Sequence, residues 1–292
     1  MGNKHLRPEE VDNNEQKVTV AVPTVPVISP IIENEEEKKV RVKTKYRVLI
    51  VEDDEEIRNY IAKEFGDKFH IMESRNGKEA LEQIFKKAPD LVISDIMMPE
   101  MDGLTLCRKI KQNVNLNHIP VILLTAKTQI GEQIEGLNIG ASAYVTKPFD
   151  PNYLKALVKS LLRNRDSIRA LLLSSSSTSQ IVTNALSPQD MAFMKDLYVL
   201  MDSMITQDNL NFNMVAEKLY MSRSKFNYKL KGLTGETPIH FFLKYKLNKA
   251  AELLKSGKYN VSEVADITGF GTLSHFSVSF KKYFGVNPSE YK

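Results

Sequence analysis

At 292 residues, 42% hydrophobic and 26% charged, the chain is long enough for about two globular cores. Its one cysteine, Cys107, excludes an internal disulfide and a cysteine-rich zinc site, so a reducing compartment is expected and the thiol reads as packing filler on a helix. No apolar run approaches the roughly 20 residues that cross a bilayer, and a polar stretch follows Met1, so the expectation is a cytoplasmic chain without direct membrane contact. The net charge of +4 is uneven: residues 46–165 carry 17 Lys/Arg against 17 Asp/Glu, whereas residues 210–292 carry 13 against 6. That basic end points to a polyanion partner.

In chain order, residues 1–45 hold the proline-punctuated VPTVPVISP and the charge run ENEEEKK, and read as a leader or linker. From Tyr46 short apolar runs alternate with helical periods. RVLIV (47–51), HIME (70–73), DLVIS (90–94), PVILLT (120–125) and AYVTK (143–147) read as strands. Helical spacing follows each, over 56–67, 76–88, 104–113, 130–140 and 151–173, and in the first of these Ile57, Tyr60, Ile61 and Phe65 fall on one apolar face. Five such pairs within residues 46–165 predict an α/β doubly wound domain with a five-stranded parallel sheet covered on both faces. Residues 166–187, with SSSSTSQ (174–180), read as a serine-rich linker, and residues 188–292 as a separate all-α domain.

In a doubly wound sheet, ligands bind outside the carboxyl ends of the strands at the switch in strand order. The residues at those ends are Glu52 and Asp53, Asp95, Thr125 and Lys147. Asp95, inside SDIMMPEMDG, could be a cap, a metal ligand or a nucleophile. Three converging carboxylates are costly unless a cation neutralises them, and an open, oxygen-rich cage suits Mg²⁺. With a hydroxyl and an ammonium added, the set can carry phosphoryl transfer: Asp95 as nucleophile, Lys147 pairing a phosphate oxygen and Thr125 donating to another. A Mg²⁺-dependent phosphatase of the haloacid dehalogenase type would need a second Asp two positions on, where this chain has Met97.

VEDD, SDIMMPEMDG, LLTAK and AYVTKPF together make residues 46 to about 165 resemble a CheY-like response-regulator receiver domain. The resemblance implies strand order 2-1-3-4-5, an order for which CheY is itself the standard example. It further implies Asp95 as phosphoacceptor, with Lys147 and Thr125 beside it. The implied metal ligands are Glu52, Asp53, Asp95 and the Met97 backbone carbonyl, the implied switch residues Thr125 and Tyr144, and the bond before Pro148 is expected to be cis. Asp54 competes for a place in the acidic pair, but the register after LIV favours Glu52 and Asp53.

MVAEKLYMSRSKFNYKLKGLTG (214–235) has the form of a helix-turn-helix, with Ser222 as N-cap and Arg223, Lys225, Asn227, Tyr228, Lys229 and Lys231 brought to the surface of the second helix. Residues 261–285 repeat it, with a Gly269/Gly271 turn and a second helix carrying Ser274, His275, Ser277, Lys281 and Lys282, while Phe276, Phe280, Tyr283 and Phe284 read as core. GETPIHFFLKYKLNKAAELL and GFGTLSHFSVSFKKYFGVNPSEYK are similar to the AraC-type DNA-binding domain over roughly residues 190–292. Double-stranded DNA is then the implied partner, with Arg223, Ser224, Lys225, Asn227 and Tyr228 on one reading helix and Ser274, His275, Ser277 and Lys281 on the other. Many relatives place an arginine on each of these helices where this chain has Tyr228 and Val278.

Together these readings describe a phosphorylation-controlled transcription regulator that dimerises when Asp95 is phosphorylated. The 45-residue leader is unexpected for a stand-alone regulator, and a receiver followed by a serine-bearing linker and an AraC-type domain resembles the C-terminal end of bacterial hybrid two-component sensors, several of which control polysaccharide-utilisation genes. The phosphoryl donor would then be a histidine kinase domain of the same longer chain. The alternatives are a complete stand-alone regulator and a phosphate-independent receiver scaffold.

Overall fold

Strands β1 (Arg47–Val51), β2 (His70–Ser74), β3 (Leu91–Asp95), β4 (Val121–Thr125) and β5 (Ala143–Thr146) pair in parallel in the order β2-β1-β3-β4-β5. The computed structural model describes residues 46–126, 139–175, 186–207 and 210–291, which belong to one compact unit. The expected leader, most of the helix expected over 130–140 and the centre of the serine-rich stretch lie outside the described residues.

The sheet is covered on both faces because successive residues of its inner strands alternate between two apolar clusters. Val48, Ile50, Ile93 and Leu124 meet Ile61 and Phe65 of helix α1 (Glu55–Gly66) and Leu154 and Val158 of the long helix α4 (Pro151–Ser174). Leu49, Val51, Val92 and Leu123 meet Ala80 and Ile84 of α2 (Gly77–Lys86) and Leu106 and Ile110 of α3 (Gly103–Gln112). Tyr60, expected on the buried face of α1, is 47% exposed, while Arg58 is buried at 6%. Arg58 lies three and seven residues before Ile61 and Phe65, so it shares their face.

The domain boundary expected after residue 165 falls inside α4, which runs unbroken to Ser174. Its last turns carry Ile168, Leu172 and Leu173 into the core of the helical part, and Tyr198 and Asn248 donate to the carbonyls of Leu172 and Leu173 at 2.7 and 2.8 Å. That core also holds α5 (Pro188–Ser203) and the first of two matching helix pairs, α6 (Phe212–Lys218) with α7 (Arg223–Thr234). The second pair is α9 (Val261–Ile267) with α10 (Leu273–Phe284). The pairs repeat one grammar. An Asn cap (Asn211, Asn260) opens a seven-residue helix, a hydroxyl cap (Ser222, Thr272) opens a twelve-residue one, and a glycine (Gly235, Gly285) closes it.

Between the pairs runs α8 (Pro238–Lys255), whose 18 residues span about 27 Å at 1.5 Å per residue. Its first half packs Phe241, Phe242 and Tyr245 into the first core, and its second half packs Leu247, Ala250 and Ala251 against Val264, Phe276 and Phe280. The buried Lys246 ties the joint, donating to the Gln207 and Gly269 carbonyls at 2.8 and 2.7 Å. Gly269 has φ +67°, and a Cβ there would lie 2.3 Å from the Ile205 carbonyl oxygen. Both constraints demand glycine. Gly269→Ala is expected to cost about 1–3 kcal/mol, seen as a lower urea midpoint, with the main loss of structure in residues 261–291 by amide exchange.

Candidate functional site

β1 and β3 are direct neighbours, with Val51 opposite Ser94, so the residues leaving β1 and ending β3 meet at one sheet edge. Among the described residues Glu52, Asp53 and Asp95 bring carboxylate oxygens within 4.8 Å of one another. Glu52 is 1% and Asp95 8% exposed, while Asp53 stands open to solvent. Lys147 follows β5, and its Nζ donates to Glu52 Oε2 at 2.8 Å and Asp95 Oδ2 at 2.9 Å. The other carboxylate oxygen of Asp95 accepts from the Ile96 backbone N–H at 2.7 Å. Thr125 ends β4 opposite Thr146, and its residue is nearly inaccessible. Contacts therefore join Glu52, Asp53, Asp95 and Lys147 of the strand-end residues named from the sequence, and Thr125 ends the neighbouring strand β4 on the same side of the sheet.

The electrostatics are those of a site holding too much negative charge. Burial, reinforced by the nearby Asp95 charge and opposed by Lys147, pushes the Glu52 carboxyl up to about 7. Burial works against the Lys147 ammonium, yet its bonds to Glu52 and Asp95 hold its pKa above the ordinary lysine value. Asp54 takes no part, because it caps α1, accepting from the Glu56 and Ile57 N–H groups at 2.9 and 3.1 Å. Beyond Asp95 the loop carries Met97, 65% exposed, and Glu100 at φ +62°, before Asp102 caps α3. A Cβ on Gly103 would lie 2.0 Å from the Asp95 carbonyl oxygen, so only glycine lets α3 begin against the site. Tyr144 is half-buried against the Leu49 cluster, and the Lys147–Pro148 bond is cis as expected.

On α7, Ser224 and Lys225 are exposed, and the Arg223 guanidinium lies 5.2 Å from the Phe212 ring centre and 3.3 Å from Asn213 Oδ1. Asn227 is half-buried, as is Tyr228, which packs against the Leu49 cluster of the α/β part. Lys229, expected at the surface, is wholly buried, because its ammonium is ion-paired with Asp190 of α5. On α10, Ser274, His275 and Lys281 are exposed and Ser277 is half-buried, with Val278 68% exposed among them. Phe276 and Phe280 are fully buried and Tyr283 and Phe284 pack against them, the core role expected of all four.

Two family matches fit this division: residues 48–159 match the response regulator receiver domain and residues 215–292 a helix-turn-helix domain. The chain joins a receiver domain to an AraC-type helix-turn-helix domain. Histidine kinase P4 of Formosa agariphila is 31% identical over 300 residues, covering all of this chain and 22% of that protein. The response regulator PleD of Caulobacter vibrioides is 42% identical over 118 residues, 40% of this chain and 26% of its own. The chain thus spans about a quarter of the length of either relative. The solved receiver domain of a signal transduction histidine kinase from Syntrophus aciditrophicus is 38% identical, with TM-score 0.39, covering 40% of this chain and 90% of that one.

Receiver domains generally hold Mg²⁺ at an acidic cluster, and this receiver's trio fits such an ion: every donor is a hard oxygen, and Glu52 is displaced in the direction that an added cation would reverse. Sequence reasoning passed over Arg58, which donates to the carbonyls of Glu52 at 2.9 Å and Asp53 at 3.4 Å and pairs with Glu73 at 3.5 Å. It holds the turn that presents both acids. The signal was there: a charged residue within the otherwise apolar stripe of α1.

Glu52 supplies the pH test. Its carboxyl holds a proton more tightly folded than unfolded, so from about 4.5 to about 7 the folded state binds more protons and stability falls as pH rises. Urea unfolding without divalent cations is expected to show that fall, and Glu52→Gln to flatten it.

Proposed function

We propose that the chain is a phosphorylation-controlled, sequence-specific DNA-binding regulator of a two-component system. The observation that carries this reading is the Asp95 carboxylate, one oxygen held by a backbone N–H and the other by the Lys147 ammonium, beside Glu52 and Asp53. A carboxylate oxygen of Asp95 attacks the phosphorus of a phosphohistidine, the phosphorus–nitrogen bond breaks, and the imidazole leaves with the electron pair. Lys147 moves from its two carboxylate partners to a phosphoryl oxygen, and the Thr125 hydroxyl donates to another. Glu52, Asp53, Asp95 and the Met97 carbonyl would hold Mg²⁺, which supplies charge neutralisation at the phosphoryl group. Engagement of Thr125 then draws Tyr144 with it and repacks the β4–β5 side of the receiver into a dimer surface.

The helix-turn-helix part, residues 188–292 in this reading, binds duplex DNA through α7 and α10. Arg223, Ser224, Lys225, Asn227 and Tyr228 serve on the first, and Ser274, His275, Ser277 and Lys281 on the second. The exposed Val278 suits a thymine methyl, and dimerisation places two such units on paired sites. The phosphoryl donor is a histidine kinase domain in the same longer chain, controlling polysaccharide-utilisation genes in the cytoplasm. Supporting this is the end-to-end match to a histidine kinase of which the chain spans 22%. No helix among the described residues is long and apolar enough to cross a membrane.

Incubation with Mg²⁺ and acetyl phosphate tests the core of the reading. Wild type is expected to gain one alkali-labile phosphate, and Asp95→Asn none; equal labelling of the two would refute Asp95 as acceptor.

A further inference from the structure

The two helix pairs turn in the same way and differ at one position. Nine residues after its asparagine cap, each enters the left-handed region, at Tyr220 with φ +55° and at Gly269 with φ +67°. The turn hydrogen bonds match residue for residue. The Tyr220 and Met221 N–H groups donate to the Glu217 and Ala216 carbonyls at 2.9 Å, and the Gly269 and Phe270 N–H groups donate to those of Asp266 and Ala265 at 3.0 and 2.9 Å. Glycine adopts this φ freely, whereas a tyrosine is strained there by its Cβ. Packing does not offset that strain, since Tyr220 is 99% exposed. Its neighbours Leu219 and Met221 both pack against the first helical core, so the turn is anchored on either side of a ring that stands in solvent.

We propose that Tyr220 is a DNA contact outside the reading helices: its phenol hydroxyl donates to a phosphate oxygen on the wall of the major groove that α7 enters. The proposal rests on the DNA-binding part of the function given above and adds a residue to it. Strain kept at an exposed residue, with no packing to offset it, points to a role beyond the fold. Position then names the partner. Tyr220 stands two residues before Ser222, the cap of α7, a stretch of at most about 7 Å. A helix roughly 10–12 Å across with its side chains fills a major groove about 12 Å wide, so a side chain projecting from just outside its first turn meets the sugar–phosphate wall. Charge agrees: between residues 217 and 225 the one acid, Glu217, is outnumbered by Lys218, Arg223 and Lys225, which suits a polyanion. A tyrosine hydroxyl is a common donor to phosphate, where it fixes register without reading sequence. The second pair cannot do the same, because the Ile205 carbonyl oxygen fills the space a side chain at Gly269 would need. The contact therefore belongs to the α7 half of the site alone.

Three variants of the full chain, treated with acetyl phosphate and Mg²⁺, test this on a duplex of about 30 base pairs that the wild type selects from a random pool. Anisotropy is followed over a range of salt. Tyr220→Phe keeps the ring and removes the hydroxyl. It is expected to bind about five- to tenfold more weakly at every salt concentration, with an unchanged slope of log affinity against log salt, because a neutral donor releases no counterion. Lys225→Ala, in contrast, is expected to flatten that slope by about one. Tyr220→Gly relieves the backbone, so its urea midpoint is expected to rise while DNA affinity falls at least as far as in Tyr220→Phe. A side chain serving only the fold would not give that pairing. Wild-type affinity in Tyr220→Phe overturns the phosphate contact, and a loss of transcription alongside it would assign the ring to a protein partner instead. A lower urea midpoint in Tyr220→Gly shows that the ring supports the fold, which also overturns the proposal. A wild type that selects no duplex overturns the DNA-binding reading and the contact with it.

Discussion

A lysine ammonium set between two buried carboxylates is the interaction on which the rest of the structure turns. Lys147 follows β5, Glu52 follows β1 and Asp95 ends β3, so one cation joins the adjacent strands β1 and β3 to β5 across the carboxyl ends of the sheet. Burial, reinforced by the nearby Asp95 charge, displaces Glu52 up to about 7, and the three carboxylates there offer hard oxygens suited to a cation. Arg58 beneath and Gly103 beside it shape the backbone on either side, the first by binding two carbonyls and the second by letting α3 approach the Asp95 oxygen.

The helical part is organised by repetition. Two helix pairs share the same caps and lengths, and α8 supplies apolar residues to both cores from successive halves of one helix. The receiver connects to them through α4, whose first turns cover the sheet and whose last turns enter the helical core. A rigid helix shared by two cores leaves little room for independent motion there. Loop 113–119, by contrast, buries Asn115 Oδ1 and His118 Nδ1 with no hydrogen-bond partner among the described residues.

Much of this was legible in the chain itself. Alternating apolar runs specify five strands and their helices because burial on both faces requires continuous hydrophobic strands, and β1 over 47–51 and α4 over 151–174 fall within a residue of the expected limits. The meeting of Glu52, Asp53, Asp95 and Lys147 was legible too, since parallel strands present all their carboxyl ends on one side. Caps at Ser222 and Asn260 follow from local hydrogen bonding, which depends only on near neighbours.

Tertiary structure alone decided the rest, because the deciding partners are distant in sequence. Helical spacing places Lys229 on a surface, and only the approach of Asp190, Val114 and Asn117 makes that surface an interior. Arg58 is buried on the face where Tyr60 was expected, because the acidic turn above α1 offers carbonyls to a guanidinium. Periodicity sets which residues share a side of a helix; what lies against that side depends on contacts between residues as far apart as Ile84 and Tyr228, and no local pattern encodes those.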